Sequence, residues 1–154
     1  MKTNDSRWPI LIFSLFIAFT LVFTSCSGKK INENNPEEFF NDAEEDVKDK
    51  HYLIALDKLK TIKNKFPYSH YAVKAHLRIA DVYFFEEQFV EAAATYEAFR
   101  DLHPKHERAD YVIFQTGESY FNQLPASIDR DQTPAIKAIE AFKELTRLYP
   151  QSKK

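Results

Sequence analysis

The chain has few of the residues on which many compact functional sites depend. Its 154 residues include one cysteine, Cys26, and two glycines, Gly28 and Gly117. One cysteine excludes an internal disulfide and a zinc site built on paired cysteines. Two isolated glycines exclude a glycine-rich phosphate-binding loop. The formal net charge of −2 excludes a strongly basic footprint over the whole chain, so no nucleic-acid partner is expected.

Charged side chains are absent from one stretch near the N-terminus. None occurs between Arg7 and Lys29, and the segment WPILIFSLFIAFTLVF supplies a long apolar run. A basic start, an apolar run and small residues before the next basic pair are the layout of a secretory signal peptide. The alternative is an uncleaved helix that anchors the chain in the inner membrane, because about 18 apolar residues can span a bilayer.

The cysteine lies at the end of this run, in the sequence FTSC. These residues resemble the lipobox of bacterial lipoproteins, although Phe23 stands where that pattern usually has leucine. The resemblance implies a signal peptide over residues 1–25, lipidation of Cys26 and a polar tether over residues 26–35. In the same pattern the non-acidic Ser27 implies export to the outer membrane.

A repeated pattern follows this segment. Prolines 67, 104 and 150 each lie twelve residues after an alanine, and a large apolar residue stands four positions after that alanine. This is the A-x3-F…P half of the tetratricopeptide pattern. The alanines are Ala55, Ala92 and Ala138, and the large residues are Leu59, Tyr96 and Phe142. Proline cannot continue a helix and therefore ends the second helix of each unit.

The other half of the pattern lies upstream. Ala43, Ala80 and Gly117 are spaced by 37 residues, and the third unit carries nine extra residues between its two helices. Small residues at these positions let paired helices approach closely. We predict an all-α superhelix of three tetratricopeptide repeats, at about 36–68, 69–105 and 106–151, with an insert at 125–134. The helices are expected at 36–50, 53–66, 70–86, 89–103, 107–123 and 134–149, with capping side chains at Asn35, Ser69 and Thr133.

Several segments of residues 36–152 resemble one family more specifically. They are Pro67-Tyr68-Ser69, Leu102-His103-Pro104 with Asp110-Tyr111, and the inserted Asp129-Arg130-Asp131. They resemble the BamD family, lipoproteins of the outer-membrane β-barrel assembly machine. The resemblance implies a lipid-anchored scaffold in the outer membrane that faces the periplasm. It also implies binding of unfolded outer-membrane protein precursors, of the central β-barrel subunit and of other lipoproteins of the machine. Alternatives are another envelope tetratricopeptide lipoprotein, or an inner-membrane anchored adaptor.

The family is considerably longer than this chain, which stops directly after the second helix of the third repeat. One side of the apolar face of that helix would then be uncovered (Ile136, Ile139, Phe142, Leu145 and Leu148). We expect either a fragment without the C-terminal repeats or a second chain that covers this face, and we favour the fragment.

A binding groove is expected on the first helices of the repeats, where tetratricopeptide arrays hold extended peptides. The helical phase turns Phe40 and Val47 of the first repeat toward the groove. In the second and third repeats the predicted groove residues are Leu77, Asp81, Phe84, Tyr111, Phe114, Glu118 and Phe121. They form an aromatic wall with two acids, which suits an apolar peptide with an aromatic end. The resemblance implies the C-terminal targeting segment of the precursors as this ligand. Alternatively, the aromatic side chains pack between the repeats or beneath the loop at Asp129–Asp131.

The insert has two interpretations. Asp129, Arg130 and Asp131 either pin the loop by capping and pairing, which we favour, or touch a ligand or the barrel-forming partner. His103 and His106 have a spacing that could hold a metal, but no third ligand accompanies them. Two acidic clusters, Glu86-Glu87 and Glu44-Glu45-Asp46, lie at helical positions without a nucleophile or oxyanion donor. We therefore expect no enzyme, metal or cofactor.

Overall fold

The computed structural model of the chain describes residues 31–127 and 131–152. Six α-helices occupy these residues: α1 Pro36–Lys48, α2 Tyr52–Lys65, α3 His70–Phe85, α4 Phe89–Leu102, α5 Ala109–Phe121 and α6 Thr133–Leu148. Each predicted helix is present, and its bounds differ from the prediction by two residues or fewer. The all-helical repeat fold is thereby confirmed for the described part of the chain. The predicted signal peptide and Cys26 lie outside it.

Consecutive helices pack against each other, and α1 also contacts α3. The helices therefore form three antiparallel pairs with their first members side by side. The small residues that the sequence singled out lie at the contacts within each pair, where Ala43, Ala80, Ala55 and Ala92 are fully buried. Gly117 shows how tight these contacts are, because a Cβ atom there would lie 2.6 Å from Cε1 of Phe142.

Local capping fixes where the helices start. The Asn35 side chain accepts hydrogen bonds from the amides of Glu37 and Glu38, and Ser69 accepts one from the amide of Tyr71, as predicted. The prediction for Thr133 is wrong. Thr133 is already helical, and its amide and hydroxyl both donate to the Asp131 carboxylate, at 2.9 Å and 2.6 Å.

Two short turns join the helices within the first two repeats, and both use the same geometry. Lys50 and Glu87, 37 residues apart, have φ angles of 61° and 59°. The amides of Lys50 and His51 donate to the carbonyls of Val47 and Asp46, which is the hydrogen-bond pattern of a Schellman motif. This left-handed position usually belongs to glycine. The third repeat replaces the short turn by the insert.

The polar tether predicted over residues 26–35 overlaps the start of the described residues. In the structure residues 31–35 contact the first repeat. Lys65 at the end of α2 donates to Asn34 Oδ1 at 2.7 Å and to the carbonyl of Glu33 at 3.3 Å. Ile31 packs against the apolar core of the first repeat. The five residues before the first helix therefore belong to the same compact unit as the repeats.

The antiparallel pairs give the array two edges. We call the N-terminal edge the one that holds residues 31–35, the turns between repeats at 66–69 and 103–108, and residues 149–152. The opposite edge holds the turns within repeats, at 49–51 and 86–88, and the described part of the insert loop. On α6, Ile136, Ile139 and Leu148 are exposed as predicted, whereas Leu145 is buried. None of the helices in the described residues is long and apolar enough to cross a membrane.

Candidate binding cleft

A cleft of about 360 Å³ opens on the face formed by the first helices of the repeats. Its walls come from α1, from α3 and from the turn that precedes α5, so all three repeats contribute. The lining residues are Phe40, Glu44, His70, Lys74, Leu77, Arg78, Asp81, His106, Glu107 and Arg108. Eight of these ten side chains carry a charge or an imidazole, so the cleft is suited to a polar or charged ligand.

Arg78 anchors one wall of the cleft through carboxylates on two helices. Its Nη2 donates to Glu44 Oε2 at 2.8 Å, and its Nε lies 2.7 Å from Glu44 Oε1. Nη1 of the same guanidinium is 3.4 Å from Asp81 Oδ2. Two parallel contacts to one carboxylate orient a guanidinium as well as neutralise it. Arg78 therefore connects α1 of the first repeat to α3 of the second.

Asp81 forms the floor of the cleft and is 2% exposed. Its Oδ1 accepts hydrogen bonds from the hydroxyls of Tyr96 at 2.7 Å and Tyr111 at 2.9 Å. Burial, followed by the charge of Asp81, raises the pKa of Tyr111 to about 12, and the same causes raise the pKa of Tyr96 further. Both tyrosines therefore remain proton donors at neutral pH. Asp81 connects α3 with α4 and α5.

Two cations of the cleft are left without a carboxylate partner among the described residues. The Lys74 ammonium lies over the Tyr71 ring at 5.2 Å, and the Arg108 guanidinium lies over the Tyr111 ring at 4.0 Å. Aromatic faces attract cations but do not neutralise them. Lys74 and Arg108 are therefore the groups in this cleft that are available to an anionic ligand.

Beside the cleft, three histidines surround the ring of Phe99, and one of them, His106, also lines the cleft. The rings of His76, His103 and His106 lie 5.4, 4.9 and 5.0 Å from the ring of Phe99. Burial, followed by the charges of Lys63 and His103, lowers the pKa of His76 to about 4. His106 Nδ1 accepts a hydrogen bond from the Arg108 amide. Within the described residues no group of three or more ligating side chains could hold a metal ion.

The predicted groove residues divide into two groups. Leu77 and Asp81 line the cleft, and Tyr111 adjoins it through Asp81 and Arg108. Phe84 packs on Phe89 with 5.4 Å between ring centroids, and Phe114 packs on Phe142 at 6.1 Å. Of the other two predicted residues, Glu118 is half-buried and Phe121 is exposed. Phe84 and Phe114 thus pack within their own repeats, each against the second helix of its pair, and not between repeats as the alternative interpretation expects. The predicted continuous aromatic wall does not line this cleft.

Sequence reasoning missed the charged members of the cleft, chiefly Glu44, Lys74, Arg78 and Arg108. The signal was present, because Lys74, Arg78 and Asp81 share one helical stripe with Leu77. The groove prediction includes Leu77 and Asp81 of that stripe but neither of its basic residues. In the insert loop, Asp131 pins the start of α6, and its bonds to Thr133 lower its pKa. Asp129 and Arg130 lie outside the described residues.

Comparisons with known proteins agree with this fold and place the chain in a family. The YfiO family, described as an outer membrane lipoprotein, matches residues 32–153. The outer membrane protein assembly factor BamD of Neisseria gonorrhoeae is 30% identical over 94% of the chain and 59% of its own length. BamD of Neisseria meningitidis serogroup A is 30% identical over 76% of the chain and 47% of its own length.

A third relative comes from a different genus. BamD of Vibrio cholerae is 26% identical over 88% of the chain and 61% of its own length. The chain thus spans between about half and three fifths of the length of these curated relatives. Because the family match covers most of the chain, including all six helices, the chain belongs to the YfiO family of outer membrane lipoproteins.

Proposed function

We propose that the protein is an outer-membrane protein assembly factor that works as a binding scaffold, without catalysis. The observation that carries the proposal is the cleft on the first-helix face, built by all three repeats in a chain of this family. In this proposal the repeats hold β-barrel precursors and also dock the central β-barrel subunit and other lipoproteins of the assembly machine. The BamD relatives, which are outer membrane protein assembly factors, support this function.

The proposed location is the periplasmic side of the outer membrane. Cys26 carries the lipid in this proposal, after cleavage of residues 1–25. The FTSC sequence and the family description support it. A single acyl chain gives only marginal binding, so stable attachment requires the several chains of a mature lipoprotein.

The chemistry of the cleft suggests how a precursor would be held. Lys74 and Arg108 supply positive charge beside the rings of Tyr71 and Tyr111. An extended segment that carries a carboxylate next to an aromatic side chain would meet both kinds of group. The C-terminal segment of an unfolded outer-membrane protein has this combination, which makes it the proposed ligand of the cleft.

Membrane fractionation with affinity purification tests the location and the partners together. We compare the full-length gene product with its Cys26→Ala variant. Acylated wild-type protein in the outer membrane that co-purifies with a large β-barrel subunit is the expected result. Protein that remains in the inner membrane at uncleaved mass, without that partner, would refute the assembly-factor proposal and leave a tethered repeat scaffold.

A peptide-binding measurement tests the cleft itself. Lys74→Ala and Arg108→Ala are each expected to raise the Kd of a C-terminal precursor peptide about tenfold, because each removes a charge-assisted contact. Lys60→Ala is the matched control, since the Lys60 ammonium also lies over a tyrosine ring, that of Tyr83, at 5.3 Å but outside the cleft. Equal affinities for all three variants would exclude this cleft as the peptide site.

A further inference from the structure

We infer that the N-terminal edge of the repeat array is held against the phospholipid surface of the membrane. This inference rests on the proposed lipid anchor at Cys26. It does not follow from that anchor alone, because a long flexible tether would leave the repeats free to take any orientation. The structure adds two facts: residues 31–35 are bound to the first repeat, and they lie at the N-terminal edge of the array.

The tether is short because its last five residues are bound to the first repeat. Two hydrogen bonds from Lys65 hold Glu33 and Asn34, the Asn35 amide donates to the Asn32 carbonyl at 2.9 Å, and Ile31 packs on the core. Only five peptide steps separate Cys26 from Ile31. A fully extended chain of that length spans at most about 18 Å. The N-terminal edge can therefore not move farther than this from the anchored cysteine.

The opposite edge cannot be equally close while the tether is this short. Each helix pair runs directly from one edge to the other, and α4 with its 14 residues is about 21 Å long. An array that turned its opposite edge to the membrane would need residues 31–35 to lie about one helix length above the surface. A span of about 18 Å does not cover that distance together with the thickness of the turns.

The exposed side chains of the N-terminal edge suit a lipid surface. Tyr68 is fully exposed in the turn between the first two repeats, and Leu102 is 68% exposed at the end of α4. Lys65 and Lys105 are exposed on the same edge. Amphipathic aromatic side chains and lysines that project from apolar surroundings favour the boundary between lipid and water.

Charge also distinguishes the two edges. With one helical turn on either side, the two turns within repeats (45–55 and 82–92) hold six carboxylates against two lysines, a net charge of −4. The two turns between repeats (62–73 and 99–112) hold five basic residues against three carboxylates, a net charge of +2. With Glu33, Glu37 and Glu38 of the same edge included, its net charge becomes −1, still less negative than that of the opposite edge, and Lys29 and Lys30 precede these residues in the sequence. Anionic lipids therefore repel the opposite edge more strongly.

Site-specific quenching in vesicles tests the orientation. The acylated full chain is reconstituted into vesicles of phosphatidylethanolamine and phosphatidylglycerol that carry a nitroxide on a fraction of the headgroups. Acylation consumes the natural thiol, so a cysteine introduced at Leu102 or at Val90 is the only one that takes a fluorophore. These positions are a matched pair, because they lie on the same helix, are 68% and 64% exposed, and are about 18 Å apart along it.

The label at Leu102→Cys is expected to lose most of its emission, and the label at Val90→Cys to keep most of it. Tyr68→Cys and Leu53→Cys form a second pair with the same expectation. Equal quenching at both members of each pair would overturn the inference while leaving the anchor intact. Failure of the wild-type chain to bind vesicles, as expected only of Cys26→Ala, would instead overturn the anchor and the inference with it.

A longer tether tests whether the short tether, and not the affinity of the N-terminal edge for lipid, orients the array. Insertion of about 30 Gly and Ser residues after Lys30 adds a flexible reach of about 30 Å, enough for either edge to approach the bilayer. We expect the difference between the Leu102 and Val90 labels to shrink strongly. If the difference stays unchanged in this variant, the short tether is not what orients the array.

Discussion

The hydrogen bonds of Asp81 lead to a prediction of strong non-additivity. Asp81→Ala removes the acceptor of two tyrosine hydroxyls. Tyr96 is fully buried, so water cannot replace the lost partner of its hydroxyl. Leaving such a donor unsatisfied costs about 1–3 kcal/mol. Tyr111 is half-buried and loses a bond to a charged acceptor, but it can turn to water. Arg78 keeps Glu44 as a partner, so no unpaired charge remains.

We therefore expect Asp81→Ala to lower the free energy of unfolding by about 3 kcal/mol. Tyr96→Phe alone leaves Asp81 with two other partners and should cost about 1–2 kcal/mol. In the double variant the unsatisfied hydroxyl no longer exists. Its cost should fall short of the sum of the single costs by at least about 1 kcal/mol, the size typical of residues in direct contact.

Urea denaturation, followed by circular dichroism, measures all four proteins of this cycle. Glu97→Ala serves as the control. It removes a carboxylate from the hydroxyl of Tyr120, 2.8 Å away, at a site where the Glu97 side chain is 34% exposed and water can take its place. We expect a cost below about 1 kcal/mol there. Additive costs in the cycle, or an Asp81→Ala cost no larger than that of Glu97→Ala, would refute the reasoning.

Three further predictions concern single positions. Gly117→Ala is expected to lower stability by about 1–2 kcal/mol in thermal or urea unfolding, because the new methyl collides with the Phe142 ring, and Phe142→Leu should relieve most of that loss. Lys50→Gly should raise stability by about 1 kcal/mol, because glycine adopts φ near 61° without strain; a loss would show that the Lys50 side chain makes a stabilising contact. The pKa of His76 is about 4 in the fold against 6.5 in the unfolded chain, so the unfolded chain binds more protons between these values. Stability should fall by about 3 kcal/mol as the pH drops from 6.5 to 4, and His76→Phe should flatten this part of the pH profile of urea midpoints.

The sequence predicted the helices well because their signals are local or periodic. The helices α2 and α4 stop two residues before Pro67 and Pro104, close to where these prolines predict their ends. Asn35 and Ser69 cap α1 and α3 as predicted. The prediction failed at Thr133 because the side chain of Asp131, two residues earlier, can also accept hydrogen bonds at the start of α6. Which of the two residues caps depends on the path of the insert, and no local pattern sets that path.

The binding cleft was harder to predict, because helical phase shows which way a side chain points but not what it meets there. Asp81 has the phase of a groove residue, yet tyrosines from α4 and α5 reach it and bury it. Phe114 has the same phase but meets Phe142 of the next helix. Conversely, Arg78 is visible in the cleft only once Glu44 of the preceding repeat is placed beside it. Such pairings join residues 15 to 34 positions apart, beyond any sequence window.

The chain of contacts from Glu44 through Arg78 and Asp81 to Tyr111 crosses both boundaries between the repeats. In repeat arrays each unit contacts only its neighbours, and arrays with weak boundaries lose their end units first. Here the release of α1 removes the Glu44 partner of Arg78, and the release of α5 removes the Tyr111 hydrogen bond to the buried Asp81. Both outer repeats are therefore tied to the unfolding of the middle one. In hydrogen exchange, the amides of α1, α3 and α5 should consequently open together, as one cooperative unit without fraying from either end.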